Sequence, residues 1–67
     1  MREISLAVLE RIMKKAGAKR VSKKALMELR EEIMNYAGKI STDAVMLAKH
    51  ANRITVLDTD VRMALRK

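Results

Sequence analysis

The chain has 67 residues, a formal net charge of +7, 49% hydrophobic residues and 1% aromatic ones. That length holds one small domain, and so short a chain usually completes its core with a staple or a partner. No Cys is present and His50 is the single His, which excludes a disulfide, a thiolate metal site, a thiol nucleophile and a His-rich site.

The charge is unevenly placed. Residues 1–24 hold eight Lys or Arg and two Glu, a net of +6, while residues 25–67 carry a net of +1. A basic cluster of this kind points to a polyanionic partner. No apolar run approaches the roughly 20 residues of a membrane span. Glu3, Glu10 and Arg11 interrupt any signal-peptide core at the front.

Residues 5–16, SLAVLERIMKKA, read as a short helix. Ser5 is a capping residue, and Leu6, Leu9, Ile12, Met13 and Ala16 fall at helical spacing. Lys14 and Lys15 sit in the last turn, where the helix dipole favours cations, and Gly17 follows as a stop.

Ser22 opens a second helix. Leu26, Leu29, Ile33, Ala37, Ile40, Ala44, Leu47 and Ala51 step by three or four, which sustains one helix of about 28 residues and about 42 Å. Met27, Met34, Tyr36, Val45 and Met46 add apolar positions away from that stripe. A helix apolar on more than one face needs several neighbours. Two short helices of its own chain cannot wrap it, so two copies crossing their long helices are expected. Tyr36 is assigned a buried place and the methionines are assigned to the core, with Met46 and Met63 as candidates for an oligomer surface. Gly38 inside the helix costs about 1 kcal/mol relative to Ala; close helix approach or a kink accounts for it.

Asn52 suits a helix stop, and Ile54, Thr55 and Val56 suit a short extended segment. Asp58, Thr59 and Asp60 supply the acidic start of a third helix, which Val61, Met63, Ala64 and Leu65 fill and Arg66 and Lys67 end. The expected class is all-α: short helix, loop, long central helix, loop, short helix.

This layout, with the segments AGAKRVS and LAKHANRITVLDTDVRMAL, resembles the histone fold and, within it, the archaeal histones. The resemblance covers essentially all 67 residues, read as a single domain without tails. It implies an intertwined obligate homodimer, with a heterodimer as a further possibility. It implies binding of double-stranded DNA through first helices and paired loops, and dimer–dimer contacts that build tetramers or filaments. It places the protein on the chromosome in the cytoplasm, with no membrane, cofactor or metal.

By position, Arg20 matches the family arginine of the minor groove, and Thr55 the threonine that a partner chain pairs with it. Arg11 and Lys14 match phosphate-binding positions of the first helix. Lys15, Lys19, Ser22, Lys23, Lys24, Arg53 and Ile54 complete the candidate DNA surface. Arg53 also matches an arginine that pairs with Asp60 inside the chain. Leu47, His50, Asp60 and Met63 match positions where two dimers meet, with His50 facing Asp60 across the contact. The chain departs from the pattern at Ile54, where many members carry Lys, and at Lys23 and Lys24, where well-known members often carry acids.

Arg20 has a mechanism that needs no family. An Arg beside a helix N-terminus can join backbone N–H groups around a phosphate or enter a narrow minor groove. The flanking lysines would add affinity through counterion release. Three functions compete: a DNA-packaging protein that bends, wraps and compacts duplex DNA with little sequence preference; a histone-fold subunit of a sequence-specific transcription regulator; and a basic amphipathic membrane or protein-interaction module. The first fits best. No nucleophile or second acid–base partner surrounds His50, so no enzyme is expected.

Overall fold

The computed structural model describes residues 4–66, and Glu3, Lys67 and the N-terminal Met and Arg lie outside them. The described elements are three helices: α1 (Leu6–Lys15), α2 (Lys23–His50) and α3 (Asp58–Leu65). Two compact units divide the chain, Met1–Met34 and Asn35–Lys67. The first contains α1 and the start of α2; the second contains the rest of α2 and α3.

In the first unit, Ser5 starts α1 because its hydroxyl oxygen accepts the Ala7 N–H at 3.1 Å. Ser22 does the same for α2, accepting the Ala25 N–H at 3.1 Å. Each bond satisfies one of the donors a helix start leaves free. Leu9 and Leu26 are the buried apolar side chains here, at 2% and 6% exposure. Ile12 and Ala16, assigned to the same stripe, are exposed.

Both reversals of the backbone after a helix rest on one device. At the end of α1 the Gly17 N–H donates to the Lys14 carbonyl and the Ala18 N–H to the Met13 carbonyl, each at 3.1 Å. At the end of α2 the Asn52 N–H donates to Lys49 and the Arg53 N–H to Ala48, each at 2.9 Å. These paired bonds form a Schellman motif, which requires a left-handed residue just past the helix. Gly17 supplies it at φ 116° and Asn52 at φ 57°. Gly pays no Cβ penalty there, and Asn is among the few other residues that tolerate it.

In the second unit the buried side chains are Ala44, Ala48, Ala64 and the carboxylate of Asp60. Ala44 and Ala48 are four apart and share one face of α2. Tyr36 is 61% exposed, against the buried place expected for it. It lines an open apolar groove with Ile40, Val45, Val56, Val61 and Leu65. Periodicity marked these faces as apolar; the chain's own short helices do not cover them. Met27 departs from its expected core place for the same reason, while Met46 and Met63, the two methionines assigned to an oligomer surface, are exposed.

Gly38 has open space where a Cβ would stand, so no close approach within the chain demands it. The Thr42 hydroxyl donates to the Gly38 carbonyl at 3.0 Å, a bond of the kind that bends helices. Residues 54–56 form no strand among the described residues; Ile54 and Thr55 lie in a bend. A strand needs a hydrogen-bonded neighbour, and this segment bonds instead to its own Arg53.

Candidate nucleic-acid interface

The first unit carries most of the candidate cations. Arg11, Lys14 and Lys15 lie on the last turns of α1, Lys19 and Arg20 on the loop, and Lys23 and Lys24 on the first turn of α2. All seven are exposed, as is Ser22. Arg11 and Lys15 flank a shallow depression on α1 with Val8 and Ile12. Lys14 leans toward Glu10 at 3.5 Å. Both side chains of that pair are open to solvent, so it holds the lysine weakly and leaves it free to exchange partners.

The start of α2 is electrostatically unlike that of α3. No acid lies in the first turn of α2, whereas Asp58 and Asp60 lie in that of α3. The free backbone N–H groups at a helix start carry partial positive charge, so Lys23 and Lys24 add to it rather than offset it. The arrangement favours an anion approaching from solvent. Changing both lysines to Glu is expected to flatten the salt dependence of duplex binding by about 0.9 in log–log slope for each phosphate no longer engaged. An unchanged slope in salt titrations of the double variant would leave these lysines as solvated charge.

The second unit carries Arg53, Ile54 and Thr55. The Arg53 guanidinium donates to both oxygens of Asp60, at 2.7 and 2.8 Å, and to the Thr55 carbonyl at 3.2 Å. Asp60 also accepts the Leu57 N–H at 2.8 Å. Leu57 precedes α3 and has no side-chain acceptor, so Asp60, reaching back from the first turn, does the capping. The paired hydrogen bonds from Arg53, then that from Leu57, hold the Asp60 carboxyl at a pKa of about 2. The same Asp60 bond raises Arg53 above its ordinary value. Arg53 is about one-third exposed, so most of its guanidinium is committed to the loop.

Ile54 stands fully exposed, at 102%. Thr55 beside it is exposed too.

Among the positions assigned to contacts between dimers, His50 and Met63 are exposed and Leu47 is half-buried. His50 shares a shallow depression with Met46 and Lys49. Asp60 is 3% exposed within its own chain, and three hydrogen bonds already occupy it. Within its own chain Asp60 is thus the buried end of the loop brace.

Sequence reasoning alone would not have found two of these bonds. The Thr55 carbonyl and the Leu57 N–H are backbone groups, and no residue type marks them. Asp58 pairs with Arg62 one turn on, at 2.6 Å. Among the described residues no cluster of His, Cys, Asp or Glu could hold a metal, and no helix is long and apolar enough to cross a membrane.

Comparison with known proteins adds an independent line. Residues 2–65 match the family model described as histone-like transcription factor (CBF/NF-Y) and archaeal histone. The chain is 41% identical over 66 residues to one of the subunits of archaeal histone HAN1 from Thermococcus zilligii, covering 98% of each chain. It is 47% identical over 66 residues to probable archaeal histone 3 of Methanocaldococcus jannaschii, again covering 98% of each.

Proposed function

Because the chain belongs to the family of histone-like transcription factors and archaeal histones, we propose that it is a DNA-binding chromatin protein acting as an intertwined dimer. It folds as one histone-fold domain, binds duplex DNA mainly through phosphates, and bends and compacts it on the chromosome. The observation that carries this reading is the exposed band of cations from Arg11 to Lys24. Seven cations in fourteen positions, with Glu10 the one acid beside them, make a surface for a polyanion and not for a neutral ligand.

The dimer rests on a second observation. Among the described residues, twelve large apolar side chains are exposed and five hydrophobic residues are buried. The groove beside Tyr36 and the outer face of α2 offer the surface that a second long helix would cover. A monomer rarely leaves so much apolar surface open.

The direct test is light scattering of the protein alone and with duplexes of increasing length. A dimer mass without DNA and stepwise growth with duplex length support the reading. A monomer that ignores duplex DNA sinks it. Binding should weaken steeply with salt and differ little between random sequences. Selection of one short site over random duplex by orders of magnitude at fixed salt would instead favour a sequence-specific regulator.

The Thermococcus zilligii relative is named as one lettered subunit of its histone, which favours keeping a second reading of the dimer: two different histone chains rather than two copies. Native mass spectrometry of the purified protein distinguishes them, because a chain that needs a different partner remains monomeric or unfolded alone.

A further inference from the structure

We infer that the two Tyr36 rings of the dimer meet each other across its two-fold axis, and that this ring pair is what makes a second copy of the chain a better partner than a different chain. The inference rests on the dimer proposed above and names the side chain that selects the partner.

Tyr36 is the single Tyr in a chain without Phe or Trp. It is 61% exposed, so its own chain does not take up the ring. It lines an apolar groove with Ile40 and Val45, and no charged residue lines that groove. Such a surface suits an uncharged apolar face and not DNA. Ala37, next along the groove, is exposed and small, which leaves room beside the ring.

The position of Tyr36 along its helix then decides what it meets. α2 is one helix of 28 residues from Lys23 to His50, so its midpoint falls between Tyr36 and Ala37. Apolar side chains stand exposed on both sides of that point, Met27 in one half and Val45 and Met46 in the other. Two long helices cover both halves of each other only by crossing near the middle. In a symmetric dimer the two-fold axis passes through that crossing, and a residue beside the axis faces its own copy. Tyr36 lies half a residue from the midpoint, so the two Tyr36 positions differ by about 1.5 Å along the helix direction. This holds whatever the crossing angle. With helix axes roughly 8–10 Å apart, rings from facing sides come within the roughly 4.5–7 Å at which aromatic pairs attract.

A matched pair of rings carries selectivity. A different chain with a small side chain at the facing position would leave a void beside Tyr36, and the ring would lose its contacts on that side. Aromatic side chains near the centre of an interface are also those whose truncation costs most.

The test uses the parent protein. Light-driven oxidation with a ruthenium complex and persulfate removes one electron and one proton from each phenol, and two adjacent phenoxyl radicals couple to dityrosine. Because each chain has one Tyr, any such bond joins Tyr36 to Tyr36. A covalent dimer on a denaturing gel, with dityrosine fluorescence, is expected in native buffer and not in denaturant at the same concentration. Tyr36→Phe is expected to dimerise within about twofold of the parent, and Tyr36→Ala about tenfold more weakly. The inference is overturned if the parent is a dimer by light scattering and forms no dityrosine above the denatured control. It is also overturned if Tyr36→Ala dimerises like the parent. A parent that is monomeric by light scattering overturns the dimer of two copies itself, and the ring pair with it.

Discussion

Arg20→Ala should weaken duplex binding roughly tenfold per site at fixed salt, with the melting temperature of the free protein unchanged. A dimer carries two such sites, so the two losses compound. Arg20 is exposed, next to the start of α2, and no ion pair among the described residues engages it. Its removal therefore leaves no buried partner stranded. A minor-groove arginine acts through the narrow groove's negative potential, so Arg20→Lys should restore only part of the loss. Anisotropy titrations on an A-tract duplex and on a GC-rich duplex provide the check. Equal binding by parent and Arg20→Ala would remove this residue from the interface.

Asp60→Asn should have the largest effect on stability, a fall in melting temperature on the order of 5 °C or more. The substitution keeps the shape of the side chain and takes away its charge. One oxygen becomes an amide group that cannot accept from Arg53, so a guanidinium N–H loses its partner and the Leu57 cap competes for the remaining oxygen. The effect carries a pH signature. The folded chain holds the Asp60 carboxyl at about 2, below the ordinary Asp value of about 3.9. A depressed carboxylate stabilises the fold at pH above the ordinary value, and that contribution disappears as pH falls toward 2. Parent protein should lose stability across that interval, and Asp60→Asn should lose less of it. Thermal melts between pH 5 and pH 2 (read by circular dichroism) decide the matter; parallel curves for the two proteins would show that Asp60 does not brace the loop. Arg53→Ala should resemble Asp60→Asn in stability and differ from Arg20→Ala, which acts on affinity alone.

Much of the chain's organisation is written in short local signals. Ser5 and Ser22 open helices, and Gly17 and Asn52 close them, because each of these residue types solves a backbone problem within its own turn. The clustering of cations before residue 25 is equally plain, since charge can be counted without knowing the fold. What stays hidden is which apolar face is covered by which chain. Ile12 has the spacing of a core residue and stands exposed, Tyr36 and Met27 mark a second apolar face that is exposed too, and Ala48 lies off the expected stripe and is buried. Periodicity tells a face from its opposite. It does not say whether the covering helix belongs to the same molecule. The pairing of Arg53 with Asp60 came from family resemblance, because seven residues across a loop is not a spacing that brings side chains together by itself. The backbone half of that brace, at Thr55 and Leu57, left no mark in the residue types at all.

The excess of exposed over buried apolar side chains has a consequence for how much of the protein is folded at any moment. In the proposed dimer, each chain's core is finished by the other, so folding and association are one event governed by mass action. Dilution then acts as a denaturant. The melting temperature should climb with the logarithm of protein concentration, and a newly made chain at low copy number waits, exposed to proteases, until it meets another. DNA gathers dimers along its length and raises their local concentration. The ligand would thus secure the fold of the protein that packages it.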